Sequence, residues 1–381
     1  MKRGFALLLI FLLLFPALPA AAAEGDPEVT AEAAVLMEKE TGTVLFEQNA
    51  HARLEPASVT KIMTILLIAE AIESGVMSRS DMVTVSASAA EMGGSQVYLE
   101  EGEQMTVDDL LKATVVSSAN DAAVALAEQL AGSESAFVAQ MNRRAAELGM
   151  EDTTFVNCTG LPAEEHLTSA WDIALMSRAL ISHDFIKRYT TIWMDSIRNG
   201  AFGLANTNKL IRFYDGATGL KTGSTDTALY CLSATAEREG MELIAVVLKA
   251  PTSSDRFETA KSLLNFGFSN YTLLNVESEA APIPVTLGTA DAVLPTPAEP
   301  PRVLVEKRQA ADVTWEAETA ETLEAPVEAG TQVGQIRILL DGVQLRAIPL
   351  VAPEGVPRLT FGQIFARVAG LVLTGSVCDP S

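Results

Sequence analysis

The chain has 381 residues and a formal charge of −22 at neutral pH, from 27 lysines and arginines against 49 aspartates and glutamates. So acidic a surface argues against binding of nucleic acid or another polyanion, and the length suits one large domain plus a smaller one. Three cysteines, Cys158, Cys231 and Cys378, give no even disulfide framework, so they are expected to be free and buried, with a Cys158–Cys231 bridge the less favoured reading.

Lys2 and Arg3 open the chain, an apolar run follows from Phe5 to Phe15, and Pro16 to Ala23 precede Glu24. This is the layout of a secretory signal peptide over residues 1–23, cleaved after Ala21-x-Ala23. The apolar run is shorter than the roughly 20 residues that a spanning helix needs. An exported protein is therefore expected. Ala34–Met37 and Thr43–Phe46 read as short strands joined by a turn at Glu38–Gly42. A helix starts at Pro56 and Ala57 and continues to Gly75, apolar on nearly every side, which marks a core helix. Helical patterns follow over Asp108–Leu130 and Glu134–Leu148, with Gly132 and Gly149 as stops. Another covers Trp171–Leu180, capped by Thr168 or Ser169. Ala228–Ala236 and Leu243–Leu248 form an antiparallel hairpin turning at Arg238-Glu239-Gly240, and Arg256–Phe266 returns to helix. Strands at both ends of a helical centre predict an α+β layer architecture for residues 24–276.

Beyond Tyr271 the character changes. Residues 277–303 are rich in proline, alanine and acids, and the runs to about 350 are short and β-like, as at Val303-Leu304-Val305 and Gln335–Leu340. They predict a small all-β module over 277–352, the alternative being a solvated spacer. In the tail, 353–381, apolar residues recur at helical spacing from Phe361 to Val372. Taken by itself, such a helix would pack on its own β module. Its nearby positive charges are Arg358 and Arg367, fewer than interfacial helices usually carry.

Three short strings carry the chemistry: Ser58-Val59-Thr60-Lys61, Ser118-Ala119-Asn120 and Lys221-Thr222-Gly223. The first puts a hydroxyl and an amine on one helix face. As a pair at a helix start they would be ordinary, yet a lysine one turn into an all-apolar helix is costly to bury without a partner or a task. The other strings add a second hydroxyl, an amide and a second amine. These are the parts of a serine acyl-transfer site without histidine. The three histidines form no H-E-x-x-H pattern, and no G-x-S-x-G elbow exists, so a zinc peptidase and an α/β-hydrolase lack support.

The ordered set resembles the signature of penicillin-binding proteins and class A β-lactamases. The closest likeness is to the low-molecular-mass penicillin-binding proteins that act as D-alanyl-D-alanine carboxypeptidases. It rests on Pro56-Ala57-Ser58-Val59-Thr60-Lys61-Ile62-Met63-Thr64, Ser118-Ala119-Asn120-Asp121-Ala122-Ala123 and Gly219-Leu220-Lys221-Thr222-Gly223, with Ala119 where other members carry glycine or aspartate. The resemblance implies a β-lactamase/transpeptidase-like catalytic domain with a small C-terminal β domain, and a terminal amphipathic helix in peripheral contact with a membrane. It implies a peptidoglycan stem peptide as substrate, β-lactams as inhibitors, and no metal or organic cofactor. Ser58 would be the nucleophile and Lys61 its base, kept neutral by burial and by a neighbouring Lys221 cation. The N–H groups of Ser58 and Ser224 would hold the oxyanion. Gly223 would leave room for the substrate backbone. Ser118 and Lys221 would pass a proton to the leaving D-alanine, Asn120 would hold the peptide amide, and Thr222 and Arg256 would grip the terminal carboxylate. An exposed helix-start arginine is an equal reading of Arg256. Asn206, Asn208, His166 and Asp172 read as scaffold. A class A β-lactamase would need a deacylating glutamate in E-x-x-L-N, and the nearest string, Lys261-Ser262-Leu263-Leu264-Asn265, has lysine there. A transpeptidase, an endopeptidase and a non-catalytic penicillin-binding wall protein remain as alternatives.

Overall fold

The computed structural model describes residues 25–277 and 280–374. The expected signal peptide and Cys378 lie outside the described residues. A five-stranded antiparallel sheet forms the centre, in the order Val44–Gln48, Ala33–Glu38, Met241–Ala250, Leu229–Arg238, Ala217–Thr225. The N-terminal strand joins the sheet through a long-range register that runs from Ala33 opposite Leu248 to Glu38 opposite Leu243.

The two-residue period of these strands explains why the sheet lies between two layers. Val35, Met37, Ile244, Val246 and Leu248 point into one core with Ile62, Leu66, Ile173 and Met176, from the helices Lys61–Glu73 and Ala170–Ile181. Their neighbours Leu36, Leu243, Ala245 and Val247 point into a second core with Phe257, Leu263 and Leu264 from the helix Ser253–Asn270. Each buried valine, leucine or isoleucine contributes about 1.5–3 kcal/mol relative to exposure. Both faces are therefore committed, and a one-residue slip would exchange the two cores. The helices Ala170–Ile181 and Ser253–Asn270 are capped by Ser169 and Thr252, whose side chains accept from the N–H of Asp172 and Asp255. The architecture is α+β, as expected.

Two local expectations change. The helix expected at Pro56 opens as a 3-10 turn, Ala57–Thr60, before the α-helix Lys61–Glu73. The helix expected over Asp108–Leu130 is two helices, Val107–Val116 and Asn120–Ala131. Ser118 stands between them with φ 60°, a left-handed conformation that no helix accommodates. The break is held by non-local bonds: the N–H of Asn120 donates to the Ser95 carbonyl at 2.7 Å.

The C-terminal module is built of β strands, with one 3-10 segment at Lys307–Asp312. Strand Tyr271–Asn275 pairs with Arg302–Glu306, so a segment that the sequence reading leaves with the catalytic domain is hydrogen-bonded to the module. A four-stranded sheet follows in the order Thr296–Pro297, Val343–Val351, Gln332–Leu340, Val313–Thr319. Strand Ile283–Thr286 lies inside the proline-rich stretch: Ile283 and Val285 are buried while Pro284 and Thr286 are exposed, an alternation that composition alone hides. The helix Phe361–Thr374 follows, with Phe361, Phe365 and Val368 exposed. Arg367 on its flank pairs with Asp291 at 3.0 Å. No helix among the described residues is long and apolar enough to cross a membrane.

Candidate active site

The turn Ala57–Thr60 leaves Ser58 half-buried, and the first residue of the following helix, Lys61, is fully buried beneath it. Lys61 Nζ lies 3.0 Å from Ser58 Oγ, 2.6 Å from Asn120 Oδ1 and 2.7 Å from the Thr159 carbonyl. The Asn120 amide is fixed in orientation because its Nδ2 donates to the Gly93 carbonyl at 2.7 Å. Burial lowers the Lys61 pKa to about 7, against opposing pulls from Cys158 and Asp121. A neutral lysine has two N–H donors and one lone pair. Two of its three partners can only accept, so they take both N–H groups. The lone pair is left for the one partner that can donate, the Ser58 hydroxyl. That is the arrangement of a general base and its nucleophile. Of the two causes expected, burial and the Lys221 charge, burial is the one that lowers it.

Opposite, the left-handed Ser118 turns its hydroxyl to Lys221, whose Nζ donates to Ser118 Oγ at 2.8 Å and to the Thr222 carbonyl at 3.0 Å. Lys221 is also buried. Burial, then the charges of Lys61 and Arg256, holds its pKa well below the usual lysine value. Lys221 and Thr222 belong to Ala217–Thr225, the edge strand of the sheet. Thr222 Oγ1 donates to Thr207 Oγ1 at 2.7 Å. A Cβ at Gly223 would stand 2.8 Å from both the Pro56 carbonyl oxygen and the Ser58 nitrogen. The strand can therefore lie against the turn Ala57–Thr60 only with glycine there. Ser224, next in the chain, is exposed on the same rim. Ser58, Lys61, Ser118, Asn120, Lys221, Thr222, Gly223 and Ser224 thus converge on one cleft.

The family description D-alanyl-D-alanine carboxypeptidase matches residues 20–252, and the C-terminal domain of penicillin-binding protein 5 matches 268–358. D-alanyl-D-alanine carboxypeptidase DacF of Bacillus subtilis is 40% identical over 97% of this chain and 98% of its own. The chain belongs to the D-alanyl-D-alanine carboxypeptidase family. Among solved structures, penicillin-binding protein 5 of Haemophilus influenzae superposes with a TM-score of 0.76 at 29% identity, over 88% of this chain and all of that one. Penicillin-binding protein D2 of Listeria monocytogenes in its ampicillin-bound form gives 0.58 at 35% identity, over 63% of this chain and 98% of that one.

Arg256 stands apart from the other residues of this family's motifs. It is mostly buried, and its Nη1 donates to the carbonyls of Gly223 at 3.1 Å and Cys231 at 3.3 Å. Its Nε is buried without a partner among the described residues. The guanidinium braces the strand Ala217–Thr225 through the main chain, so the exposed-arginine reading does not hold. The scaffold residues behave as expected. Asn208 Nδ2 donates to the Gly219 carbonyl at 2.7 Å and Asn206 Nδ2 to that of Ile192 at 2.7 Å. Burial pushes the His166 pKa down to about 4. Its Nδ1 accepts from the Val156 N–H at 3.1 Å, so the proton sits on Nε2 and donates to Thr60 Oγ1 at 2.8 Å. Asp172 accepts from Thr153 Oγ1 and the Asp152 N–H. Cys158 and Cys231 are free and buried.

Several contributors were missed from sequence. The Thr159 carbonyl completes the Lys61 site, and Gly160 beside it has φ 83° and a Cβ position 1.8 Å from the Ala57 carbonyl oxygen. Asp121 is buried and accepts from the N–H groups of Val97 and Leu99 at 3.0 and 3.1 Å, which holds the segment carrying Gly93 against Asn120. The one sequence signal was glycine itself, at Gly93 and Gly160. No group of side chains among the described residues has the makings of a metal site.

Proposed function

We propose that the protein is a serine D-Ala-D-Ala carboxypeptidase that removes the terminal D-alanine from peptidoglycan stem pentapeptides through an ester on Ser58. Lys61 takes the Ser58 proton as Oγ attacks the carbonyl between the two D-alanines. The N–H groups of Ser58 and Ser224 receive the oxyanion. Collapse breaks the C–N bond, and Ser118 and Lys221 relay the proton from Lys61 to the departing amine, which returns Lys61 to its neutral form. Water activated by Lys61 then hydrolyses the ester. Asn120 holds the peptide amide, and Thr222 with Lys221 receives the terminal carboxylate, braced from behind by Arg256.

One observation favours terminal trimming over an endopeptidase or transpeptidase. Ahead of Lys221 the edge strand is closed. The Thr218 carbonyl accepts from Thr190 Oγ1 at 2.6 Å, the Gly219 carbonyl from Asn208 Nδ2, and Lys221 itself is capped by Ser118. A peptide pairing along Gly223–Thr225 has nowhere to continue, so a carboxylate there ends the chain. The test is a stem pentapeptide with a free carboxylate beside the same peptide amidated at its C-terminus, with products read by mass spectrometry. Release of D-alanine from the free acid and at least ten-fold slower cleavage of the amide is the expected result. Equal cleavage of both would point to the endopeptidase reading.

The same cleft supports β-lactam acylation of Ser58, in keeping with the ampicillin complex of the related Listeria protein. The layout of residues 1–23 supports export to the wall or outer membrane face. The exposed Phe361, Phe365 and Val368 support peripheral membrane contact there.

A further inference from the structure

The cleft has a closed end at Lys221 and an open end past Ser224. If the terminal carboxylate lies at Lys221 and Thr222 and the scissile carbonyl at Ser224, the upstream residues must run out over Thr225–Thr227. This direction rests on the carboxypeptidase reading. An extended chain advances about 3.3 Å per residue, so the residue preceding the D-alanine pair falls beside this turn. Glu55 waits there. It comes from the other wall, immediately before Pro56 and the nucleophile turn, and its Oε2 accepts from Thr227 Oγ1. Thr225 Oγ1 accepts from the Ala228 N–H at 2.9 Å, which fixes the turn. The Glu55 carboxylate is half-buried, its orientation set by Thr227, and Oε1 accepts no hydrogen bond among the described residues. No lysine or arginine among them forms an ion pair with it.

A carboxylate held in place by a hydrogen bond from the facing turn, with one oxygen free, suits a cation brought by the substrate. We infer that Glu55 is a specificity-determining residue that receives an ammonium on the side chain of the residue preceding the D-alanine pair. The preferred substrates are then stem peptides whose diamino residue carries a free amine, over those in which that amine is acylated by a cross-link or a branch. The protein would thus trim unlinked strands ahead of linked ones.

The experiment compares kcat/KM for D-alanine release from two pentapeptides that differ only in lysine or Nε-acetyl-lysine at the third position. The wild type should prefer the free amine by about ten-fold, the size of one hydrogen bond to a charged group. Glu55→Gln should bring the ratio to within about two-fold, and Glu55→Asp should keep part of it. Glu151→Gln, an exposed acid elsewhere, should leave it unchanged, which separates local recognition from the attraction of a cation to an acidic protein. Equal rates on both peptides in the wild type, or a preference that survives Glu55→Gln, would overturn the inference while the carboxypeptidase reading stands. Release from neither peptide would overturn both.

Discussion

If Lys61 is the base, acylation must follow its deprotonation. Its pKa is lowered to about 7 by burial, and the reactive form is the neutral amine. The rate should therefore rise with pH and level off above about 8. At pH 5, two units below the midpoint, about 1% of Lys61 is neutral, so acylation should be slower than the plateau by about 100-fold. A fluorescent penicillin suits the assay, because labelling reports the acylation step alone; second-order rate constants would be taken from pH 5 to 9. A profile flat below pH 7, or one still climbing towards pH 10, would refute the assignment. The same shift bears on stability. From about pH 7 to the ordinary lysine value of 10.5, the unfolded chain binds a proton that the folded one does not. Stability therefore rises with pH across that window, and below it the buried cation costs about 5 kcal/mol. Circular dichroism melts at each pH would show whether unfolding contaminates the rates.

Ser58→Ala should abolish penicillin labelling, and a label mapped by peptide mass to any other serine would overturn the nucleophile assignment. Lys61→Arg should lose roughly 100- to 10,000-fold in acylation, since a guanidinium keeps its proton, whereas Lys221→Arg should retain more. Gly160→Ala and Gly223→Ala both force a methyl group into backbone atoms. Only Gly160 also has a left-handed φ, so its variant should lose more stability, by about 1–3 kcal/mol, in chemical denaturation. Gly223→Ala should mainly block acylation. With no class A deacylating glutamate, a penicilloyl adduct should persist for minutes in time-resolved intact mass, while D-alanine is released catalytically from peptide; rapid turnover of penicillin would indicate a β-lactamase.

Much of the site was legible because its chemistry resides in side chains. A hydroxyl, an amide and two amines can be read from Ser58, Lys61, Ser118, Asn120 and Lys221. What escaped acts through the main chain. Every residue has a carbonyl, so nothing in the string Cys158-Thr159-Gly160 says that the Thr159 oxygen meets Lys61. The break at Ser118 was hidden for a related reason. The apolar periodicity from Asp108 to Leu130 continues through it, and the bonds that impose it come from Ser95 and Lys221, distant in sequence. In the fold, the central strands were legible as short apolar runs because both their faces are buried, with no alternation to find. At Ile283–Thr286 the burial does alternate, but proline and threonine at the exposed positions made the segment look like a spacer.

The strand Ala217–Thr225 is also a sheet edge without the usual guards. Strand edges invite pairing with other chains, and proteins usually protect them with charges, bulges or a covering element. Here the last strand of the sheet leaves Gly223 without a side chain and Ser224 in solvent. Protection comes instead from recess. The turn Ala57–Thr60 faces one stretch of it and Ser118 another, and its leading half is occupied by Thr190 and Asn208. A chain end can enter, whereas a full strand from a neighbouring molecule meets those walls first. An edge kept open for one guest can thus escape self-association without the usual safeguards.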